Sequence, residues 1–360
     1  MRRASLPILI AVRGLDPVGT GRQVELLARG LAAAGRDVHV AVTSTGGGLA
    51  GRLRDAGLPV HAIGLRPGAD VAAAARLAGL VRRLHAGVLV SFGRRQAAWA
   101  AAARLAAPRT ALVAHAAVPV RRGWGRRGLR SADVVVAASE GVAESCRRHG
   151  IPAARLATVP PGSAPDGRSR SREAVAERLG LDPARSWTLA VAPLVAETRL
   201  ERLVWAIDQL GVVRKDMQHV LVGSGPQLRR VWRRARVQEL AERLVVLPHC
   251  DAVADLIGEV RYVWQPGTTA CGGVILDAMA RGVPAVAVAS DAARQLVVHG
   301  ATGWIVPPLP ESEFPRRAFT LLERPEEAAA FGAAARLRAA AEFPAERMIE
   351  RFAAVIDGVT

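Results

Sequence analysis

LVGSGPQL (Leu221–Leu228), VVLPHCDAVADLI (Val245–Ile257), YVWQPGTTACGGVILDAMARGVPAVAV (Tyr262–Val288) and ATGWIVPPL (Ala301–Leu309) decide the fold of this chain. The first is a short apolar run, a glycine-rich turn and the start of a helix. The second is an apolar run, a His-Cys-Asp turn and a helix. The third passes from an apolar strand through a loop into a helix that opens at Gly272-Gly273, then into another apolar strand. Short apolar runs alternating with helix-length segments specify a parallel sheet covered on both faces. Such a sheet gathers its strand-to-helix turns at one carboxyl edge. Helix N-termini there present unsatisfied N–H groups, so phosphate-bearing ligands are expected at that edge.

The same alternation extends outward to both ends. Strands are expected at Leu6–Val12, Asp37–Val42, Pro59–Ile63, Gly87–Ser91, Thr110–Ala114, Asp133–Ala137 and Leu156–Val159. The intervening helices carry apolar residues three and four apart, as in Val24, Leu27, Leu31 and in Leu77, Leu80, Val81, Leu84. The pattern stops at Pro160-Pro161-Gly162, Pro165-Asp166-Gly167 and the polar RSRSR, which read as a linker. It restarts at Trp187–Val191 and continues through His219–Val222, Leu244–Leu247, Tyr262–Trp264, Ala285–Val288 and Trp304–Val306. From Glu311 the chain reads as helical. A last helix starts near Pro344, with Met348, Phe352 and Ile356 four apart. The expectation is α/β: two Rossmann-like, doubly wound domains facing a cleft. They span residues 1–165 and 173–341, and a C-terminal helix over 342–360 returns toward the first.

Composition narrows the partners. Half of the 360 residues are hydrophobic, enough for two cores. Net charge is 49 − 32 = +17, and Lys215 is the single lysine among the basic residues. The arginines are scattered, with runs at Arg121–Arg130, Arg168–Arg172 and Arg229–Arg236, and aromatics make up 4%. That argues against nucleic acid, which favours one basic stripe with interleaved aromatics, and leaves peripheral contact with an anionic membrane open. Cys146, Cys250 and Cys271 are distant and odd in number, so neither a disulfide framework nor a metal set follows and a cytoplasmic setting is expected, with any membrane contact at the inner face. MRRASLPILIAVRG imitates a signal peptide but flows straight into a glycine loop and helix, so it reads as a first buried strand. No apolar run reaches the roughly 18 residues of a membrane span.

Two glycine clusters sit where a ligand would. Gly19 and Gly21 follow the first strand, and Gly223 and Gly225 follow LV at 221–222, with Pro226 expected in the first helical turn. Glycine permits positive φ and close backbone approach to a ligand, although a plain strand-to-helix turn uses it equally. These clusters, together with the His249–Val253 turn and ATGWIVPP at 301–308, resemble the glycosyltransferases of family 4, which have the GT-B fold. Ser131-Ala132-Asp133 leading to Ser139-Glu140 and Pro160-Pro161-Gly162 are similar to further stretches of that family. The resemblance covers nearly the whole chain and is weakest between Gly46 and Arg95.

The resemblance implies transfer of a sugar from a nucleotide-sugar donor to a glycan or lipid-linked acceptor, as in cell-envelope polysaccharide assembly. It implies retention of configuration, no metal and no cofactor apart from the nucleotide-sugar substrate. It assigns donor binding to Gly19, Gly21, Gly223, Gly225, His249, Gly272 and Asp277, and catalysis to His115, Arg199 and Thr269. The sequence also departs from the family. Two glutamates eight positions apart are usual, and Thr269 and Asp277 stand there. An arginine and a lysine usually neutralise the leaving diphosphate, and Pro193 and Thr198 stand there. Arg199, one residue on, offers a forked donor as a substitute. Each assignment has a plain alternative: a solvated helix carboxylate for Asp277, a surface arginine for Arg199, a hydrogen-bonded structural histidine for His115. The missing charges also open a second reading, a degenerate GT-B protein that binds nucleotide, glycan or a protein partner without turnover.

Overall fold

The central apolar runs become strands whose two faces are both covered, while the edge strands Val60–Ala62, Leu156–Thr158 and Leu244–Leu247 are only partly buried. Ile8–Val12 and Val88–Phe92 are buried at all five of their positions, and Met217–Val222 at all six. The computed structural model describes residues 6–43, 47–64, 71–164, 170–268 and 272–360. Thr269, Cys271 and the Pro165-Asp166-Gly167 turn lie outside the described residues. The chain divides into two units, Met1–Gly162 with Phe343–Thr360, and Ser163–Glu342.

In the first unit the strands are β1 (Ile8–Val12), β2 (Val38–Val42), β3 (Val60–Ala62), β4 (Val88–Phe92), β5 (Ala111–Ala116), β6 (Val134–Ala137) and β7 (Leu156–Thr158). They pair in parallel in the order β3-β2-β1-β4-β5-β6-β7. Alternate residues feed opposite faces, as the two-residue period requires. Leu9 and Ala11 join Leu77, Leu80 and Ala97 on one side, while Ile8, Ile10 and Val12 join Val24, Leu27 and Leu31 on the other. The terminal helix Ala345–Asp357 adds Met348, Phe352 and Ile356 to that second face. Its seat on helix Thr20–Ala33 is close, since a Cβ on Gly30 would fall 2.4 Å from Ile349 Cδ1.

The second unit holds β8 (Ser186–Val191), β9 (Met217–Val222), β10 (Leu244–Leu247), β11 (Val263–Gln265), β12 (Ala285–Val288) and β13 (Gly303–Val306), parallel in the order β10-β9-β8-β11-β12-β13. Leu203, Val204, Ile207 and Leu210 pack against Leu221, Trp264, Val286 and Val288. A polar triad lies inside this core: Trp264 Nε1 donates to Thr188 Oγ1 at 2.8 Å, and Thr188 Oγ1 is 2.7 Å from His219 Nδ1. Burial, with Arg243 nearby, pushes His219 down to about 3, so it sits there as a neutral ring.

The first helix opens at Thr20, directly after Gly19 at φ 64°. One boundary differs from expectation. The helix after Gly225 begins at Leu228, so Pro226 lies in the preceding turn and not in the first helical turn. Leu194 O draws the Gln227 N–H aside at 2.9 Å and so delays the helix. The segment after Glu311 is three helices, Glu313–Glu323, Pro325–Glu342 and Ala345–Asp357. Among the described residues no helix is long and apolar enough to cross a membrane.

Candidate functional site

In a doubly wound sheet the ligand crevice opens outside the carboxyl ends of the strands, where the strand order reverses. The reversal falls between β1 and β4 in the first unit, and between β8 and β11 in the second. It selects the described residues after those strands: 13–19 and Gly93 in one unit, 192–199, 266–268 and Gly272 in the other.

In the first unit Gly19 caps helix Thr20–Ala33 at a positive φ of 64°. A Cβ on Gly21 would fall 2.3 Å from Asp16 O, so the position has no room for a side chain. A carboxylate side chain is therefore excluded sterically at Gly21 itself. A carboxylate does lie nearby, fully buried at Glu25. Arg22 Nη1 reaches it at 2.5 Å, Arg52 Nε at 3.1 Å and Arg29 at 3.7 Å. Gln23 fastens this helix to Gly162 by two hydrogen bonds of 2.8 Å, one donated and one accepted. Gln96, after β4, donates to Thr43 Oγ1, after β2, at 3.1 Å.

His115 lies near the end of β5 and is 8% exposed. Its ring packs against Phe92, with centroids 4.5 Å apart, and Phe352, at 5.9 Å. Nδ1 makes no hydrogen bond among the described residues. Burial lowers its pKa to about 4, so at neutral pH it offers an uncharged hydrogen-bonding ring.

In the second unit the loops after β8 and β9 interlock through backbone. Ala192 N donates to Val222 O at 3.0 Å, Leu194 N to Ser224 O at 2.9 Å, and Gln227 N to Leu194 O at 2.9 Å. Gly223 and Gly225, at φ 155° and 152°, would place a Cβ 1.9 Å from Ala192 O and 2.5 Å from Leu194 O. Both must be glycine for the loops to meet. Gly267 likewise lies against Thr198, 2.9 Å from a built Cβ to Thr198 Cα. Gly272 is left-handed at φ 73° and opens helix Gly273–Ala280. Asp277, one turn in, is 7% exposed and so is not a solvated helix carboxylate. After β10, His249 Nε2 lies 2.8 Å from Asp251 Oδ1, both half exposed.

Pro193 is exposed, and Thr198 is buried with its hydroxyl donating to Pro193 O at 2.6 Å. Arg199 stands at the N-cap of helix Leu200–Val213 with φ 54°. Its side chain is 53% exposed and paired with Glu201 at 2.9 Å and Glu311 at 3.6 Å. Arg202, which sequence reasoning passed over, is the buried arginine of this edge. It donates to Pro266 O at 2.9 Å and to Pro308 O at 3.0 Å, holding the loops after β11 and β13 together. The one sequence signal for it is a cation set inside the apolar stretch Leu200, Leu203, Val204. Thus Arg199, Gly223, Gly225, His249, Gly272 and Asp277 belong to the carboxyl-end loops and helices of the second sheet, and Gly19, Gly21 and His115 to those of the first. Among the described residues no group of three or more His, Cys, Asp or Glu could hold a metal ion.

Comparison with known proteins matches both units. The family described as Glycosyltransferase Family 4 matches residues 17–166, and the family described as Glycosyl transferases group 1 matches residues 186–324. A GDP-mannose-dependent alpha-(1-6)-phosphatidylinositol monomannoside mannosyltransferase of Mycolicibacterium smegmatis is 32% identical over 234 residues, 61% of this chain and 60% of that protein. An alpha-D-kanosaminyltransferase of Streptomyces kanamyceticus is 28% identical over 217 residues, 58% of this chain and 56% of that one. The chain thus spans less than two thirds of these curated relatives. Among solved structures, HepE of Anabaena in complex with UDP and glucose has a TM-score of 0.82 at 19% identity, over 98% of this chain and 100% of that one. WaaG, a glycosyltransferase involved in lipopolysaccharide biosynthesis, has 0.76 at 16%, over 98% and 100%. These likenesses establish the fold.

Proposed function

The chain belongs to the family 4 and group 1 glycosyltransferases, with the GT-B fold, and from that premise we propose that it transfers a sugar from a nucleotide-sugar donor to a glycan or lipid-linked acceptor. The transfer retains anomeric configuration and uses no metal. The observation that carries the reading is the switch point of the second unit, where left-handed Gly272 opens a helix with buried Asp277 one turn in. Helix N–H groups there suit a diphosphate, and a carboxylate at that depth suits ribose hydroxyls. The His249–Val253 turn takes the base. Neutral His115 hydrogen-bonds the donor sugar, and Arg199 leaves Glu201 and Glu311 to neutralise the leaving diphosphate. The arginines at 94–95 and 121–127 receive an acidic or lipid-linked acceptor. The protein works in the cytoplasm, in peripheral contact with the inner membrane face.

Release of nucleoside diphosphate from GDP-mannose and UDP-glucose tests this, with lipid extract as acceptor source and thermal shift read in parallel. Turnover with either donor is the expected result. Pairing of Arg199 with two carboxylates, beside uncharged Pro193 and Thr198, favours the second reading, a protein that binds nucleotide, glycan or a protein partner without turnover. Donor binding with no release across the panel would select it.

A further inference from the structure

The helix Leu228–Val237 reads LRRVWRRARV. Leu228, Val231 and Ala235 face the core of the second unit. The seven remaining positions are all exposed and consist of five arginines, Trp232 and Val237. Trp232 is 50% exposed and Val237 77%. A solvated helix face ordinarily mixes acidic, amide and basic residues, and this one has neither acid nor amide. The sequence holds no carboxylate between Asp216 and Glu239. Among the described residues none of the five arginines makes an ion pair, whereas Arg147, Arg199 and Arg214 each hold two carboxylates.

The face opposes helix stability. Arg229 with Arg233, and Arg230 with Arg234, are like charges four apart, which repel. Arg229 and Arg230 also stand in the first turn, at the positive end of the helix dipole. A face that works against its own helix is accounted for by what it meets. Guanidinium groups interleaved with an exposed indole and an aliphatic side chain suit the headgroup layer of an acidic bilayer: the charges meet lipid phosphates while the apolar groups enter the acyl boundary.

We propose that the outer face of helix Leu228–Val237 docks the protein on an anionic lipid bilayer. This rests on the peripheral-membrane part of the function above, and it assigns that contact to the second unit and not to the arginines at 94–95 and 121–127.

Flotation of the full chain with vesicles of phosphatidylcholine, alone or mixed with phosphatidylglycerol, tests the assignment. Binding is expected only with phosphatidylglycerol and should weaken as salt rises. The triple variant Arg229→Glu, Arg233→Glu, Arg236→Glu should lower it by about a hundredfold or more, with the melting temperature as the check on folding. Trp232→Ala, a milder change, should reduce binding by a smaller factor that salt does not alter. Arg94→Glu, Arg122→Glu, Arg127→Glu should leave vesicle binding in place. Failure of the full chain to float, retained binding in a folded triple variant, or loss confined to the first-unit triple would each overturn the proposal. So would displacement from the vesicles by duplex DNA or RNA at equal charge, which would identify a nucleic-acid face. Nucleoside diphosphate release by the same variants keeps the two readings apart. Docking fails alone if release persists while flotation is unaltered by the triple change. The catalytic reading fails alone if flotation behaves as expected and no variant, nor the parent chain, turns over donor.

Discussion

The two carboxyl edges are stabilised in different ways. In the first unit the loop after β1 is backed by charge: Glu25 is fully buried with Arg22, Arg29 and Arg52 around it. In the second unit the loops after β8 and β9 are joined to each other through backbone hydrogen bonds, and Gly223 and Gly225 leave no room for a Cβ. One edge is therefore sensitive to the loss of a charge and the other to the addition of a methyl group. A buried ion pair adds little beyond what an apolar replacement would give, yet breaking it on one side is expensive. A glycine contact has no such asymmetry, because its penalty is steric.

Glu25→Ala is expected to have the largest effect, about 3–5 kcal/mol of unfolding free energy in urea, because buried Arg22 loses its carboxylate. A loss below about 1 kcal/mol would break the comparison by showing that Glu25 behaves as a surface pair. Gly223→Ala should follow at about 2–4 kcal/mol, from strained backbone plus overpacking against Ala192 O. It should also abolish donor binding in the thermal-shift assay, whereas Glu25→Ala measured below its melting temperature should not.

Arg199→Ala comes next and separates chemistry from architecture. Its pairs with Glu201 and Glu311 are half exposed, so the melting temperature should hardly move. Turnover should fall about a hundredfold, as when one transition-state donor is removed. Arg202→Ala should do the reverse in kind, lowering stability because buried Arg202 bonds Pro266 O and Pro308 O. Unchanged turnover in Arg199→Ala would end its catalytic role.

The fold was legible because each strand is a run whose neighbours on both sides are helices, and such runs need no tertiary information to be seen. Ile8–Val12 and Val88–Phe92 are apolar at nearly every position since both faces are covered. Pro226 is not legible in this way, because a hydrogen bond to a different loop, Gln227 N to Leu194 O, decides where that helix opens. The glycines of the site were legible as punctuation, but the reason for them was not. That Gly21 abuts Asp16 O and Gly223 abuts Ala192 O follows only from how the loops fold back. Arg199 and Arg202 illustrate the limit. Three residues apart on one helix start, they look alike in sequence, yet one lies half exposed between Glu201 and Glu311 and the other is buried on two carbonyls.

Each unit also buries one neutral histidine, which gives the comparison a pH dependence. The folded pKa values of His115 and His219 lie at about 4 and about 3, below the unfolded value of 6.5. Between these limits the unfolded chain binds protons that the folded chain refuses, so stability is full above pH 6.5 and falls as pH drops. From pH 6.5 to 5 the loss should be on the order of 2 kcal/mol per histidine, read from urea unfolding at both pH values. His115→Phe should remove the first unit's share of that slope, and an unchanged slope would mean that His115 is already open to protons.

Asp277→Asn should have the smallest effect and be the most discriminating. Asp277 and Glu25 are both buried carboxylates on the first helix that follows a glycine turn, so the same change of carboxylate to amide can be made in each. At Glu25 the amide cannot satisfy the arginines, and stability should fall while donor affinity at permissive temperature holds. At Asp277 the amide keeps the shape and gives up part of the capacity to accept from two hydroxyls. If that carboxylate grips the donor ribose, the grip is the same in ground and transition states. Donor affinity should then weaken about tenfold while turnover at saturating donor stays within about twofold. Calorimetric donor titration and steady-state release at saturation read the two quantities separately. Turnover falling with affinity unchanged would place Asp277 at the reacting centre, and a large drop in melting temperature with intact affinity would make it a second Glu25, part of the scaffold of its edge.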